Sequence, residues 1–344
     1  MKKLIYLFIV ASFLPLLVMT SCRETTNPEE ETELEVLTEF VTTNSLDLSD
    51  ILNGWVKPGS ALGVVEAPVD YSVPGYYIMD FRSATDFDAG HIKDAHNVAF
   101  TDLITAAPTD KDTKILCVCY TGQTAARATG LLRMAGYANA VCLKWGMSSW
   151  NQDFAAKWDN NVGDTTSPNW TMSGTPAVVN EFALPTLSTG KTTGDAILTD
   201  RIATVIGLDW NVTNTAVLAN PENYFINNKW GQAVWDEYGH ITGAYRMDTA
   251  DGLGTVGLKN LDTSKPMVTY CYTGQTSAIT TAWLQVMGYD NARSLLFGAN
   301  GISHSTLQVG TVGNAHKKSW KGASSGSELN YGYYNTAGDY FPPN

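Results

Sequence analysis

Cysteine is scarce in this chain: five residues, Cys22, Cys117, Cys119, Cys142 and Cys271, among 344. No two are spaced Cys-x2-Cys, and they are too scattered for a disulfide scaffold, which excludes a zinc ribbon and a small cross-linked fold. Histidine is as sparse. The five, at positions 91, 96, 240, 304 and 316, show no ligand clustering, and His91 and His96 are spaced wrongly for one helical face. Positive charge is also in short supply. Twenty-two Lys and Arg stand against 34 acidic residues, for a net charge of -12, and no dense basic run exists to neutralise phosphates, which excludes nucleic acid as a partner. No metal and no cofactor are expected. What is present is an ordinary globular balance, 44% hydrophobic and 16% charged, in a chain long enough for two domains.

The N-terminus carries Lys2 and Lys3, an apolar run from Leu4 to about Met19, and then Thr20-Ser21-Cys22. The run falls short of the roughly 20 residues that span a bilayer and ends in small residues against a cysteine, which predicts a signal peptide over 1–21. These residues resemble a bacterial lipoprotein lipobox, with Met19 where Leu is usual. The resemblance implies cleavage before Cys22, lipidation at Cys22, and a membrane-anchored protein in the cell envelope, facing periplasm or cell surface. Residues 22–35, rich in Thr and Glu, are expected to form a flexible tether.

The rest is organised by a repeat. The string CYTGQT occurs at Cys119–Thr124 and again at Cys271–Thr276, an offset of 152 residues. Gly136-Tyr137-Ala138-Asn139-Ala140 returns at the same offset as Gly288-Tyr289-Asp290-Asn291-Ala292, and Gly90-His91-Ile92 returns at an offset of 149 as Gly239-His240-Ile241. A period this long means duplicated domains rather than a solenoid. They are placed at 36–158 and 195–318, joined by a Thr-, Ser-, Gly- and Pro-rich linker at 159–194 and followed by a tail at 319–344 without functional signal.

Tyr76–Met79 and Lys114–Cys119 read as short buried strands, Ala125–Ala135 as a helix ended by Gly136, and Val141–Leu143 as a further strand. Alternation of strand and helix predicts an α/β fold in each unit, a parallel sheet with helices on both faces and with any site at the strand carboxyl ends. Cys119 closes one strand, and the turn after it must enter a helix. Backbone N–H groups and the helix N-terminus there favour an anion, which predicts a lowered thiol pKa and a nucleophile. Cys117 and Cys142 are expected to be structural, since the second unit has Thr269 and Ser294 near their places. Trp145, Trp150, Trp235 and Trp283 read as core.

Asp80-Phe81-Arg82, Phe87–Ala95, the Cys119 loop and Lys144-Trp145-Gly146 before Trp150 together resemble a rhodanese-homology domain, so the whole is expected to be two tandem rhodanese-like domains. The resemblance implies a sulfurtransferase that carries sulfane sulfur as a cysteine persulfide. Cys119 and Cys271 are the implied nucleophiles. The implied persulfide-binding loops are Tyr120, Thr121, Gly122, Gln123 and Thr124, and Tyr272, Thr273, Gly274, Gln275 and Thr276. Asp80, Arg82 and His91 are implied to be structural. Two departures stand out: Asn227-Asn228-Lys229-Trp230 replaces Asp-x-Arg in the second unit, and neither loop holds Arg or Lys, which leaves Arg127 as a possible anion contact.

Implied partners are small sulfur donors such as thiosulfate or a thiol persulfide and thiol or cyanide acceptors, besides the membrane and a possible redox protein. A non-catalytic or redox-sensing envelope module stays open as the alternative. A cysteine phosphatase does not, because the residue six beyond each cysteine is Ala125 or Ser277 instead of the required Arg.

Overall fold

The computed structural model describes residues 31–66, 70–322 and 330–343; the expected signal peptide and Cys22 lie outside them. The first repeat builds a five-stranded parallel sheet from β1 (Val56–Lys57), β2 (Tyr77–Asp80), β3 (His96–Asn97), β4 (Ile115–Val118) and β5 (Val141–Leu143), in the order β1-β5-β4-β2-β3. The second repeats it with β6 (Asn211–Val212), β7 (Phe225–Asn228), β8 (Tyr245–Arg246), β9 (Met267–Tyr270) and β10 (Ala292–Leu295), in the order β8-β7-β9-β10-β6. The two orders correspond strand for strand.

The strands are continuous apolar runs because both faces are covered. Along β4, Ile115 and Cys117 enter one core while Leu116 and Val118 enter another, the two-residue alternation of a pleated strand. The first of these cores is common to both repeats and holds α1 (Glu33–Thr43), α3 (Gln123–Met134), α4 (Gly194–Ile206) and α5 (Gln275–Val286). A shorter helix, α2 (Ala84–Ala89), carries the residues before His91.

Helices α3 and α5 directly follow the two cysteine loops and pack on each other, with Gly130 of α3 so close to Ile279 of α5 that a Cβ there would lie 3.3 Å from its Cγ2. Sandwiched between its own sheet and the other repeat, α3 is buried nearly all round, which explains its Ala-rich, weakly amphipathic sequence. The described residues from Thr32 onward form one compact unit, the stretch between the repeats included.

Three features lay beyond local sequence pattern. Helix α1 starts within the stretch expected to be tether, with Thr32 and Glu35 forming a capping box, and Glu33 accepts from the N–H groups of Thr189 and Gly190 at 2.7 Å each. In the stretch between repeats, Trp170–Thr171 pairs antiparallel with His240–Ile241. The tail returns to the first repeat: Tyr334 pairs with His91, Trp150 Nε1 donates to Gly332 O at 2.9 Å, and Tyr331 and Tyr333 enter its core.

Candidate active site

Cys119 leaves the end of β4 and Gly122, at φ +79°, turns the chain into α3. That left-handed turn points two backbone donors at the sulfur: Gly122 N at 3.1 Å and Ala125 N at 3.4 Å from Sγ. Glycine is required twice over, since a Cβ at 122 would also sit 2.6 Å from Gln275 Oε1. The turn after β5 forms the floor. Met147 N donates to Cys119 O at 2.8 Å and Ser148 N to Tyr120 O at 3.0 Å, and a Cβ on Gly146 would stand 2.2 Å from Cys119 O.

One expectation is corrected here. Cys119 is only 4% exposed, and burial pushes its thiol above the ordinary value, a larger effect than the opposing pull of the Ala125, Thr121 and Gly122 N–H groups. The cradle is present, but burial works against the charged form it would hold. Burial raises Cys117 to about 12, and raises Cys142 as well, as suits two cysteines that serve the core.

The second loop repeats the backbone of the first and changes its chemistry. Gly274, at φ +77°, opens α5, and Ala299 N and Asn300 N donate to Cys271 O and Tyr272 O at 2.9 Å each. Cys271, however, lies 3.7 Å from Ser277 Oγ, which is 2.8 Å from Ser294 Oγ, which in turn donates to Gly274 O at 3.3 Å. Ala125 and Cys142 hold the two serine positions in the first repeat. Cys142 likewise reaches Gly122 O, at 3.3 Å.

Around the first loop the Asp80–Arg82 ion pair is fully buried, and Arg82 also donates to Gly90 O at 2.6 Å. Its guanidinium lies 5.2 Å from the Tyr120 ring centre, and the Tyr120 hydroxyl donates to Asp86 at 3.0 Å. Sheet register places Asn228 opposite Tyr270 as Asp80 is opposite Val118, so Asn228 and Trp230 are the counterparts of Asp80 and Arg82. Trp230 packs at a tilt of 39° on Tyr272, ring centres 5.1 Å apart, replacing a cation–π contact by an aromatic one, and Asn228 Nδ2 donates to the Tyr270 hydroxyl at 2.6 Å. His91 and His240 stack on Phe87 and Trp235, at 3.9 and 3.6 Å, and both are fold residues.

The loop glutamines reach out of their own repeats, which no local signal in the sequence showed. Gln123 donates to Thr121 Oγ1 at 3.1 Å and accepts from Phe297 N, in the wall of the other site, at 2.7 Å. Gln275 mirrors it, donating to Thr273 Oγ1 at 3.0 Å and accepting from Trp145 N at 3.0 Å. Thr124 and Thr276 are half-buried in the first turns of their helices.

Arg127, expected as an anion contact, is engaged elsewhere. Its guanidinium donates to Val205 O and Leu208 O at 2.5 and 3.1 Å, at the C-terminal end of α4, and stacks at 4.6 Å on Phe100. Ile279 stands at the matching position in the second repeat. No group of three potential metal ligands converges among the described residues. Beside Tyr120 lies an open cleft of about 410 Å³ whose lining includes Asp86, Asp153 and Lys157.

The model of the rhodanese-like domain family matches residues 66–153 and 221–304, half of the chain. The thiosulfate sulfurtransferase GlpE of Pseudomonas fluorescens strain SBW25 is 30% identical over 86 residues, which cover 24% of this chain and 77% of that protein. Among solved structures, the 3-mercaptopyruvate sulfurtransferase SseA of Escherichia coli is 16% identical, with 70% of this chain and 97% of that one covered at a TM-score of 0.26. A rhodanese-related protein of Thermoplasma volcanium is 19% identical, with 30% and 91% covered at a TM-score of 0.24. The chain belongs to the rhodanese-like family and carries its domain twice in tandem.

Proposed function

We propose that this protein is a sulfurtransferase that passes sulfane sulfur through a persulfide on Cys119, with Cys271 as a second site. The observation that carries this is the pair of N–H donors from Gly122 and Ala125 on Sγ, which suits a sulfur anion better than a thiol. In the first step the Cys119 thiolate attacks the outer sulfur of the donor. The donor's S–S bond breaks and its other half leaves with the electron pair, as sulfite from thiosulfate or a thiolate from a persulfide. In the second step cyanide or an acceptor thiolate takes the outer sulfur and Cys119 leaves as the thiolate. Because the sulfur is buried, both steps need the loop or its cover to move. With Arg127 engaged elsewhere and two carboxylates against one lysine in the cleft beside Tyr120, a low-charge thiol persulfide fits better than thiosulfate.

Turnover tests this. The reduced protein, given either donor and cyanide, is expected to form thiocyanate, with Cys119→Ser losing most of the rate and Cys271→Ser a smaller part. Equal rates in both variants and the parent would end the proposal. A non-catalytic module is the second reading, and the 4% exposure of Cys119 favours it. We further propose anchoring to the cell envelope by lipid on Cys22, tested by metabolic labelling with a fatty acid that Cys22→Ser should abolish.

A further inference from the structure

Each repeat's glutamine holds the wall of the other repeat's thiol site. Gln123 and Gln275 are 2% and 3% exposed, and each uses its amide twice, the N–H on its own loop threonine and the oxygen on a backbone N–H across the boundary. The receiving residues are unusual. Trp145 and Phe297 have φ of +61° and +60°, a left-handed conformation that bulky residues seldom adopt. In both repeats the next residue is a glycine pressed on the cysteine's carbonyl: a Cβ on Gly146 would stand 2.2 Å from Cys119 O, and one on Gly298 2.4 Å from Cys271 O. In both, the residue after that glycine donates its N–H to the same carbonyl. A path of direct contacts therefore runs from Gln275 through Trp145 and Gly146 to Cys119, and from Gln123 through Phe297 and Gly298 to Cys271. Each glutamine also follows immediately on the glycine that turns its own loop into its helix.

We infer that Gln275 is a positioning residue for Cys119 and Gln123 for Cys271, so that the two thiol loops react as a coupled pair. The carbonyl of Gln275 fixes Trp145 in its strained conformation, and Trp145 fixes the floor on which the Cys119 loop lies. Chemistry on one cysteine moves the turn that carries its own glutamine, and through that glutamine it moves the other loop's floor. The coupling works in both directions, as linkage requires of two sites that share their contacts. It deepens the sulfurtransferase reading, in which loading one site with sulfur would set the readiness of the other, but the geometry concerns thiol reactivity alone.

Alkylation separates the two claims because it needs no sulfur donor. Rates of iodoacetamide modification at Cys119 and Cys271 are followed by peptide mass spectrometry in the full chain and in Gln275→Met and Gln275→Glu. Methionine removes both hydrogen bonds, whereas glutamate keeps an acceptor for Trp145 N. Loss of one buried hydrogen bond predicts a change of about tenfold in the Cys119 rate in Gln275→Met. Buried as it is, the glutamate of Gln275→Glu takes a proton and so keeps both an acceptor for Trp145 N and a donor for Thr273, and it is expected to return Cys119 to within about twofold of the parent. If Gln275→Met changes only Cys271, the glutamine acts in its own loop and the inference is wrong. Should Gln275→Met fail to fold, the parent chain decides: on partial alkylation, top-down mass spectrometry gives the doubly modified fraction. A fraction equal to the product of the two single-site fractions means independent sites and overturns the coupling; a departure from it supports it. Alkylation coupling without any sulfur uptake would leave this inference standing and remove the sulfurtransferase reading.

Discussion

Arg82 grips Asp80 through two guanidinium nitrogens, Nη2 at 2.7 Å and Nε at 3.0 and 3.1 Å, with both side chains sealed from solvent. The pair stands two residues apart at the end of β2, and Arg82 carries the link on to Gly90 and to the ring of Tyr120. Breaking it leaves a buried carboxylate without its cation, so Arg82→Met is expected to destabilise the fold by roughly 3–5 kcal/mol. Urea unfolding of the variant against the parent checks this. A loss below about 1 kcal/mol would mean that the pair contributes little beyond a neutral substitute.

Ser277 separates the chemistry of the two sites. It sits between Cys271 and Ser294 in a line of hydroxyls that the first repeat lacks. Ser294 gives its only hydrogen to Gly274 O, so Ser277 donates to Ser294 and accepts from the Cys271 thiol, an arrangement that holds the thiol protonated. Ser277→Ala is therefore expected to speed alkylation of Cys271 by roughly five- to tenfold, the worth of about one hydrogen bond. The reverse change, Ala125→Ser, should slow alkylation of Cys119. Peptide-level rates at a fixed pH measure both, and an unchanged Cys271 rate would reduce Ser277 to a packing role.

Acid stability carries the mark of His240. Burial against Trp235 lowers its pKa from the ordinary 6.5 to about 4, outweighing the opposing effect of Asp236. The folded chain keeps this imidazole neutral in a range where the unfolded chain protonates it. Its contribution to stability is therefore whole above 6.5 and falls away as pH drops toward about 4. His240→Gln is expected to flatten that part of the profile, measured as the urea midpoint at several pH values. Parallel falls in parent and variant would assign the acid limb to other groups.

What the sequence made legible follows from the range of the interactions concerned. The β4 strand, the helix after it and the glycine turns were readable because a continuous apolar run, Ala-rich helix composition and Gly122 are local signals. The duplication was readable because identical loops recur. The pairing of Gln275 with Trp145 was not, because residues 130 apart meet only once α3 and α5 pack. Arg127 read as a loop cation from its spacing, while the α4 carbonyls that hold it are some 80 residues away in sequence. Cys119 follows the same rule. The turn geometry predicts a stabilised thiolate, but the degree of burial is set by tertiary packing and dominates.

The central claim, that Cys119 takes up sulfane sulfur, is tested most directly by weighing the intact protein. The full-length reduced chain is incubated with a thiol persulfide, and in parallel with thiosulfate, beside Cys119→Ser and Cys271→Ser. The expected result is a gain of about 32 Da that cyanide removes and that Cys119→Ser lacks at the first site. No added sulfur from either donor, or a gain that persists unchanged without Cys119, would contradict it.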